Sequence, residues 1–149
     1  MAPGVASAGE EERNVTAFHR LIREGFSGGD LLVVDEICAE DHVEHQDGFN
    51  PPDRRGVKQG IAFLHRLSPD IEVTVEDLEA QGDKVWARLR ARGTHSGDIL
   101  GGPTGQAFDI TIMDVCRFRD GRVIEHWGVP DRFAQMQQLG IVPGAGSGR

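Results

Sequence analysis

The sequence places histidines and carboxylates on short segments where acid–base chemistry could take place. His42 and His45 are separated by two residues, and Asp114 and Glu125 flank an Asp-Gly pair at 120–121. A carboxylate or an imidazole held beside a substrate can remove or supply a proton, and burial among apolar groups raises the pKa of a carboxyl. These residues are therefore the first candidates for general acid–base catalysis.

The spacing of His42 and His45 can also suggest a metal site. The segment that carries them is typical of a short extended piece rather than a helix, and no third histidine or carboxylate follows at ligand spacing. We therefore expect no metal ion. No GxSxG pattern indicates a serine nucleophile, and no Walker or Rossmann glycine pattern indicates a nucleotide site. His45 is expected to donate a hydrogen bond in a pocket, whereas His42 is expected at the surface.

The Asp-Gly pair at 120–121 predicts which candidates share a side of the sheet. A two-residue hairpin turn pairs Cys116 with Glu125 and Asp114 with Trp127. In that register Asp114, Glu125 and Trp127 lie on the more apolar face, which we interpret as the wall of a cavity. The alternative is that Asp114 and Glu125 lie on a solvated or dimer-facing surface.

Two further histidines are candidates for contacting a substrate. His95 continues an alternating apolar row, residues 85–91, on the side expected to face inward. His126 neighbours Trp127, and strand alternation allows only one of the two to face the cavity. A tryptophan in such a wall can serve both as core and as a contact for a ligand.

Helical patterns come before strand patterns along the chain. Asp-Gly and other turn signals separate four runs in which apolar and polar residues alternate, as in strands. Because most of the helical patterns precede these runs, the predicted fold class is α+β, with helices against the concave face of a curved antiparallel sheet. The predicted helices cover about 11–25, Asp30 to Cys38, about 54–67, and a closing helix from Pro130 to Gly140 that carries Phe133, Met136 and Leu139.

Length and composition limit the classes of protein. The 149 residues are 38% hydrophobic and carry a formal net charge of −8. This composition indicates one globular domain, expected over 11–140 with loose segments at 1–10 and 141–149, and disfavours nucleic acid or an anionic membrane as a partner. The start has no signal-peptide pattern, and two cysteines lie far apart, so we expect a cytoplasmic protein with reduced thiols.

The order of these motifs resembles the SnoaL-like polyketide cyclases. The resemblance covers about residues 11–140 and rests on His45, on residues 88–97 and 102–105, on the segment from Arg117 to Trp127, and on Asp131 to Gly140. It implies a cone like that of nuclear transport factor 2, in which the sheet wraps three N-terminal helices around a deep cavity and a short C-terminal helix follows. It also implies cofactor-independent aldol ring closure of a small hydrophobic polyketide in antibiotic biosynthesis.

The resemblance further implies that the acid/base is an aspartate just after the last strand, which is Asp131. The residues alone offer another role, because an acid in the first turn of a helix is stabilised by the helix dipole. With the resemblance, we expect Asp131 to be the base and His45 or protonated Asp114 to donate to the developing oxygens. The substrate-binding candidates are His95, Glu125, His126 and Trp127.

Other functions remain open within the wider superfamily that the resemblance implies. They are a hydroxylation component, an isomerase or dehydratase of a natural-product pathway, and a non-catalytic module that binds a small molecule. The resemblance also implies self-association through the convex face of the sheet, so we expect a homodimer or a larger homo-oligomer.

Overall fold

Helices and strands account for most of residues 6–144, the part of the chain that the computed structural model describes. Helix α1 (Ala8–Arg20) continues into π-helical turns at Leu21–Ser27. The elements that follow are α2 (Leu32–Ile37), β1 (Cys38–Glu44), α3 (Arg54–Leu67), β2 (Glu72–Gln81), β3 (Lys84–Thr94), β4 (Ala107–Arg119), β5 (Arg122–Pro130) and α4 (Arg132–Gln138). Within residues 6–144, no helix is both long enough and apolar enough to cross a bilayer.

The ends of the chain differ in part from the prediction. Ser7 caps α1, since its Oγ accepts a hydrogen bond from the Glu10 amide at 3.2 Å. Residues 8–10 are therefore helical and not part of a loose segment. The other predicted loose residues, 1–5 and 145–149, lie outside the described part of the chain.

The five strands form one sheet in the order β1-β5-β4-β3-β2. Strands β2 to β5 pair antiparallel, whereas β1 adds to the edge parallel to β5. The predicted α+β class is confirmed, with the difference that the sheet is mixed at one edge. Parallel pairing is possible there because the whole α3–β4 segment connects the two strands, and parallel neighbours need a long crossover.

The helices cover one face of the sheet, which we call the inner face. Phe18 of α1 and Ile61 of α3 are fully buried, and the predicted inward row of β3 is buried from Val85 to Ala91. The inner residues of β4 alternate in the same way, from Phe108 to Phe118. This alternation gives the sheet one face for the core and one outer face toward solvent.

A bulge in the β4–β5 hairpin changes the predicted register. Phe118 pairs with Val123 as expected, but Ile124 is an extra residue, so that Arg117 pairs with Glu125 and Cys116 with His126. One inserted residue turns every following side chain to the opposite face of the sheet. The prediction that Glu125 and Trp127 share a face with Asp114 is therefore wrong, and His126 takes the inner position.

Candidate active site

A cavity of about 540 Å³ lies between the inner face of the sheet and the helices. Its volume is within the range of roughly 300–1,000 Å³ that is usual for small-molecule sites. Most of its wall is apolar, and the polar side chains that line it include Gln46, Asp114, His126 and Gln135. Among the described residues that line the cavity, Asp114 is the only carboxylate.

Asp114 belongs to a buried row of three charged groups, which we call the inner cluster. His126 Nε2 donates to Asp114 Oδ1 at 2.8 Å, and His126 Nδ1 donates to the two carboxylate oxygens of Glu44 at 2.8 and 2.9 Å. The three residues come from β4, β5 and β1, and the parallel pairing of β1 sets Glu44 directly beside His126. The edge strand thus supplies the second carboxylate of the row.

The two carboxylates keep the imidazole between them charged. Burial by itself lowers the pKa of His126, but the charges and hydrogen bonds of Asp114 and Glu44 outweigh it and raise that pKa to about 10. Burial likewise disfavours ionised Glu44, yet the hydrogen bonds from His126 and His42 lower its pKa to about 2. At neutral pH, Glu44 is therefore a carboxylate and His126 an imidazolium that donates from both nitrogens.

Further groups fix Glu44 in place. The backbone N–H of Gln46 donates to Glu44 Oε1 at 2.8 Å, and His42 Nε2 lies 3.3 Å from Glu44 Oε2. His42 is 3% exposed, so its predicted surface position is wrong. His42 lies in β1 and His45 directly follows its last residue, and their separation by an odd number of positions turns their side chains to opposite faces, so the spacing does not bring them together as metal ligands.

Three of the predicted site residues lie together on the outer face instead. His45 stacks on Trp127 with ring centroids 4.7 Å apart, and His45 Nε2 lies 2.9 Å from Glu125 Oε2. Arg117 completes this outer-face cluster, since it donates to Glu125 Oε1 at 2.8 Å and its guanidinium lies 5.8 Å from the Trp127 ring. The structure thus removes His45, Glu125 and Trp127 from the cavity wall.

His95 is buried, as its alternation predicts, but it does not line the cavity. Its Nε2 donates to the Ile99 carbonyl oxygen at 2.7 Å, and Thr104 Oγ1 lies 3.0 Å from its Nδ1. The backbone of His95 also pairs with Gln106, Thr104 and Gly105. These bonds fasten both ends of the 96–106 loop, which gives His95 a structural role in place of the predicted contact with substrate.

Asp131 caps the last helix. Its Oδ1 accepts a hydrogen bond from the Ala134 amide at 3.0 Å, its side chain is exposed, and it does not line the cavity, although its neighbours Pro130 and Arg132 do. Of the three predicted catalytic residues, the structure therefore brings only Asp114 to the cavity, where the predicted binding residue His126 joins it.

Two residues of this site were not predicted from the sequence. Glu44 shares its strand face with His42, but only the pairing of β1 with β5 shows that it meets His126. Gln135 is 6% exposed and lines the cavity, whereas Phe133 on the same helix is 67% exposed. The available signal for Gln135 was a polar residue on the side of a short helix that faces the core. The spacing of the apolar residues on the same helix obscured this signal.

The donor atoms of Asp114, Cys116 and His126 lie within 4.8 Å of one another. Burial raises the pKa of the Cys116 thiol well above its ordinary value, so the thiol stays protonated. Both nitrogens of His126 are engaged with carboxylates. In this arrangement His126 therefore has no free nitrogen to offer a metal ion.

Comparison with known proteins identifies the same family as the motifs. The profile of the SnoaL-like polyketide cyclases matches residues 16–139. No curated protein sequence matches the chain.

Solved structures of this family are similar in fold. IdmH from Streptomyces antibioticus, a proposed polyketide cyclase, is 36% identical with a TM-score of 0.76, over 85% of this chain and 98% of that one. A proposed polyketide cyclase from Bacillus cereus ATCC 10987 is 27% identical with a TM-score of 0.80, over 92% of this chain and 87% of that one. A proposed SnoaL-like polyketide cyclase from Jannaschia sp. CCS1 is 29% identical with a TM-score of 0.77, over 94% and 100% of the two chains.

Proposed function

The chain belongs to the SnoaL-like polyketide cyclase family, and from that premise we propose that it closes a ring in a polyketide by an intramolecular aldol reaction with Asp114 as the acid/base. The observation that carries this proposal is that Asp114 is the only carboxylate among the described cavity-lining residues. The substrate would be a small hydrophobic polyketide, consistent with the apolar wall, and the pathway would be antibiotic biosynthesis.

The first step is removal of a proton by Asp114. Its Oδ1 accepts from His126, whereas its Oδ2 has no hydrogen-bond partner among the described residues. A carbon between two carbonyl groups loses a proton to Oδ2, and the resulting enolate attacks a second carbonyl carbon of the same chain. The new alkoxide then takes the proton back from Asp114, so that one carbon–carbon bond forms and no atom is lost.

His126 and Glu44 hold the base in its working state. The imidazolium of His126 donates to Asp114 Oδ1 and so orients the carboxylate in the cavity, and Glu44 on the far side balances the positive charge of the imidazolium. Gly128, which pairs with Asp114 across the strands, leaves the room that this arrangement needs. A Cβ at Gly128 would lie 2.8 Å from Asp114 Oδ1 and 1.9 Å from Gln46 Oε1.

The reaction as written needs no cofactor, because the neighbouring carbonyl groups of the substrate delocalise the negative charge. An isomerase or a dehydratase would share the first proton transfer and differ in its product, whereas a binding module would not transfer a proton at all. The free cysteines Cys38 and Cys116 are both buried, which is consistent with our proposal that the enzyme works in the reducing cytoplasm.

Proton abstraction can be measured before the natural substrate is known. We would incubate the protein with aryl-substituted 1,3-diketone chains in heavy water and follow deuterium incorporation and ring closure by mass spectrometry. Asp114→Asn keeps the shape of the side chain but cannot accept a proton, and the rate should fall by about 10²–10⁴-fold. The matched control is Asp131→Asn, which should exchange at the rate of the unaltered protein.

The opposite pattern would refute the residue assignment. Full exchange in Asp114→Asn with loss in Asp131→Asn would return the base to the position that the family resemblance suggests. Exchange without ring closure across a panel of polyketide intermediates would instead favour an isomerase.

A further inference from the structure

We propose that Arg132 and Gln135 form an anion-binding subsite at the rim of the cavity, which holds a free carboxylate of the substrate while the reacting carbon lies at Asp114. This inference rests on the proposed function and narrows its substrate class from polyketides in general to polyketides with a free acid group. Both residues belong to α4 and both line the cavity.

The first observation is an amide group that faces the cavity without a protein partner. Gln135 is 6% exposed and lines the cavity, and its side-chain amide makes no hydrogen bond to any described residue. Among the described residues, Arg117 Nε is the only buried side-chain nitrogen or oxygen without a hydrogen-bond partner, so the Gln135 amide is open to the cavity and not sealed in the core. An amide that faces a cavity is satisfied when a ligand with a polar atom occupies it.

The second observation is a cation without a carboxylate partner. Arg132 has no acidic side chain within ion-pair distance among the described residues, although the chain carries a net charge of −8. Its Nη2 donates only to the Asp47 carbonyl oxygen, at 3.1 Å. Gly48 packs against this nitrogen at a φ of +93°, and a Cβ there would lie 3.1 Å from it. The loop thus positions the guanidinium and leaves most of its N–H groups free.

The two residues are suited to one kind of ligand. Arg132 and Gln135 are three apart on a helix, so their side chains project from the same side. A planar guanidinium recognises a carboxylate through two parallel hydrogen bonds, and an amide N–H can add a third. Asp114 repels an anion from its own end of the cavity. A substrate with a carboxylate is therefore oriented with its acid group at the rim and its apolar body inside.

Binding of matched neutral and anionic probes tests the subsite without turnover. The probes are anthraquinone-2-carboxylate and its methyl ester, and the dissociation constants are measured by isothermal titration calorimetry. The unaltered protein should bind the acid about tenfold to a hundredfold more tightly than the ester. Arg132→Gln should abolish this preference, and Gln135→Met, which keeps the length of the side chain, should weaken binding of the acid several-fold.

Arg66→Gln is the control, because it removes the same charge from an exposed pair with Asp98 away from the cavity. It should leave both dissociation constants unchanged. Equal binding of acid and ester by the unaltered protein, or equal losses in Arg132→Gln and Arg66→Gln, would overturn the proposal. Tighter binding of 4′-phosphopantetheine than of anthraquinone-2-carboxylate would also overturn the proposal. The subsite would then bind the phosphate of a carrier protein's phosphopantetheine arm and not a carboxylate of the substrate.

The outcome is separable from that of the proposed reaction. Deuterium exchange into a neutral 1,3-diketone depends on Asp114 and is measured on the unaltered protein, and the control Arg66→Gln should exchange at the same rate. No preference for the acid in the unaltered protein, with its exchange activity intact, would refute the subsite alone. An intact preference with no exchange would refute the cyclase and keep the subsite.

Discussion

The inner and outer-face clusters use the same residue types on the same strands with different consequences. Each sets a histidine against a carboxylate at 2.8–2.9 Å, and the two are separated only by the thickness of the sheet. In the inner cluster the side chains are 0–9% exposed, whereas His45 and Glu125 are 36% and 25% exposed. Residue type and spacing are therefore not enough to assign chemistry, because burial decides how strongly the groups interact.

The electrostatic reason lies in the surroundings of each pair. Water screens an exposed ion pair, while a buried charge keeps nearly the full field of its partners. His126 has a carboxylate on each ring nitrogen and a pKa raised to about 10. On the outer face, the hydrogen bond from His45 lowers the pKa of Glu125, but solvent reaches both groups. Only the inner cluster lies at a cavity where a substrate can meet it.

Replacing one carboxylate in each cluster should show the largest difference between them. Glu44→Gln removes one of the two charges that stabilise buried His126, and the free energy of unfolding should fall by about 3–5 kcal/mol. Glu125→Gln removes an outer-face carboxylate, and the loss should stay below about 1 kcal/mol. Urea unfolding followed by circular dichroism measures both values. Equal losses would mean that burial does not distinguish the clusters.

The pH dependence of stability should report on the inner cluster. Glu44 has a lowered pKa, so its contribution is complete above its ordinary pKa of 4.5 and is lost as the pH falls toward about 2. His126 has a raised pKa, so its contribution is complete below 6.5 and is lost as the pH rises to about 10. We expect the free energy of unfolding to be greatest between these ordinary values and to decline on the alkaline side.

Urea unfolding at a series of pH values measures this curve. His126→Gln should remove the decline between the ordinary and raised pKa of His126, and His45→Gln should not. A decline of equal slope in both variants would show that another group controls the alkaline limb.

The outer face should act in assembly, and self-association stays a prediction. Trp86, Met113 and Val129 on this face are 51%, 54% and 70% exposed, and Met113 pairs with Val129 across β4 and β5. Exposed apolar surface of this kind is typical of an interface. Light scattering should show a dimer or larger species, and Val129→Lys should weaken it by about tenfold or more. A monomer at micromolar concentration would contradict the prediction.

A small effect on stability is expected at Asp131, outside both clusters. Asp131→Ala removes the hydrogen bond to the Ala134 amide, and the loss of a helix cap costs about 0.5–2 kcal/mol. Asp131→Asn should restore most of that stability, because asparagine caps helices equally well. Thermal unfolding of the two variants checks this order, and a loss of activity in both at unchanged stability would show that Asp131 touches the substrate.

Local sequence patterns were sufficient to predict much of this structure. Alternation identified the buried row from Val85 to Ala91, and the Asp-Gly pair identified the hairpin turn and the pairing of Phe118 with Val123. Asp114 was assigned to the cavity face on the same grounds and lies there. These features depend on neighbours along the chain or on one tight turn, so the sequence contains the information directly.

The remaining features of the site were determined by contacts between segments that are distant in sequence. A single extra residue at Ile124 exchanged the faces of His126 and Trp127, and no local signal marked the bulge. The parallel addition of β1 brought Glu44 to His126 across more than eighty residues of sequence. Residue types thus determined which groups could exchange protons, while strand register and burial determined which of them face a common cavity, because each strand offers two faces and only packing selects between them.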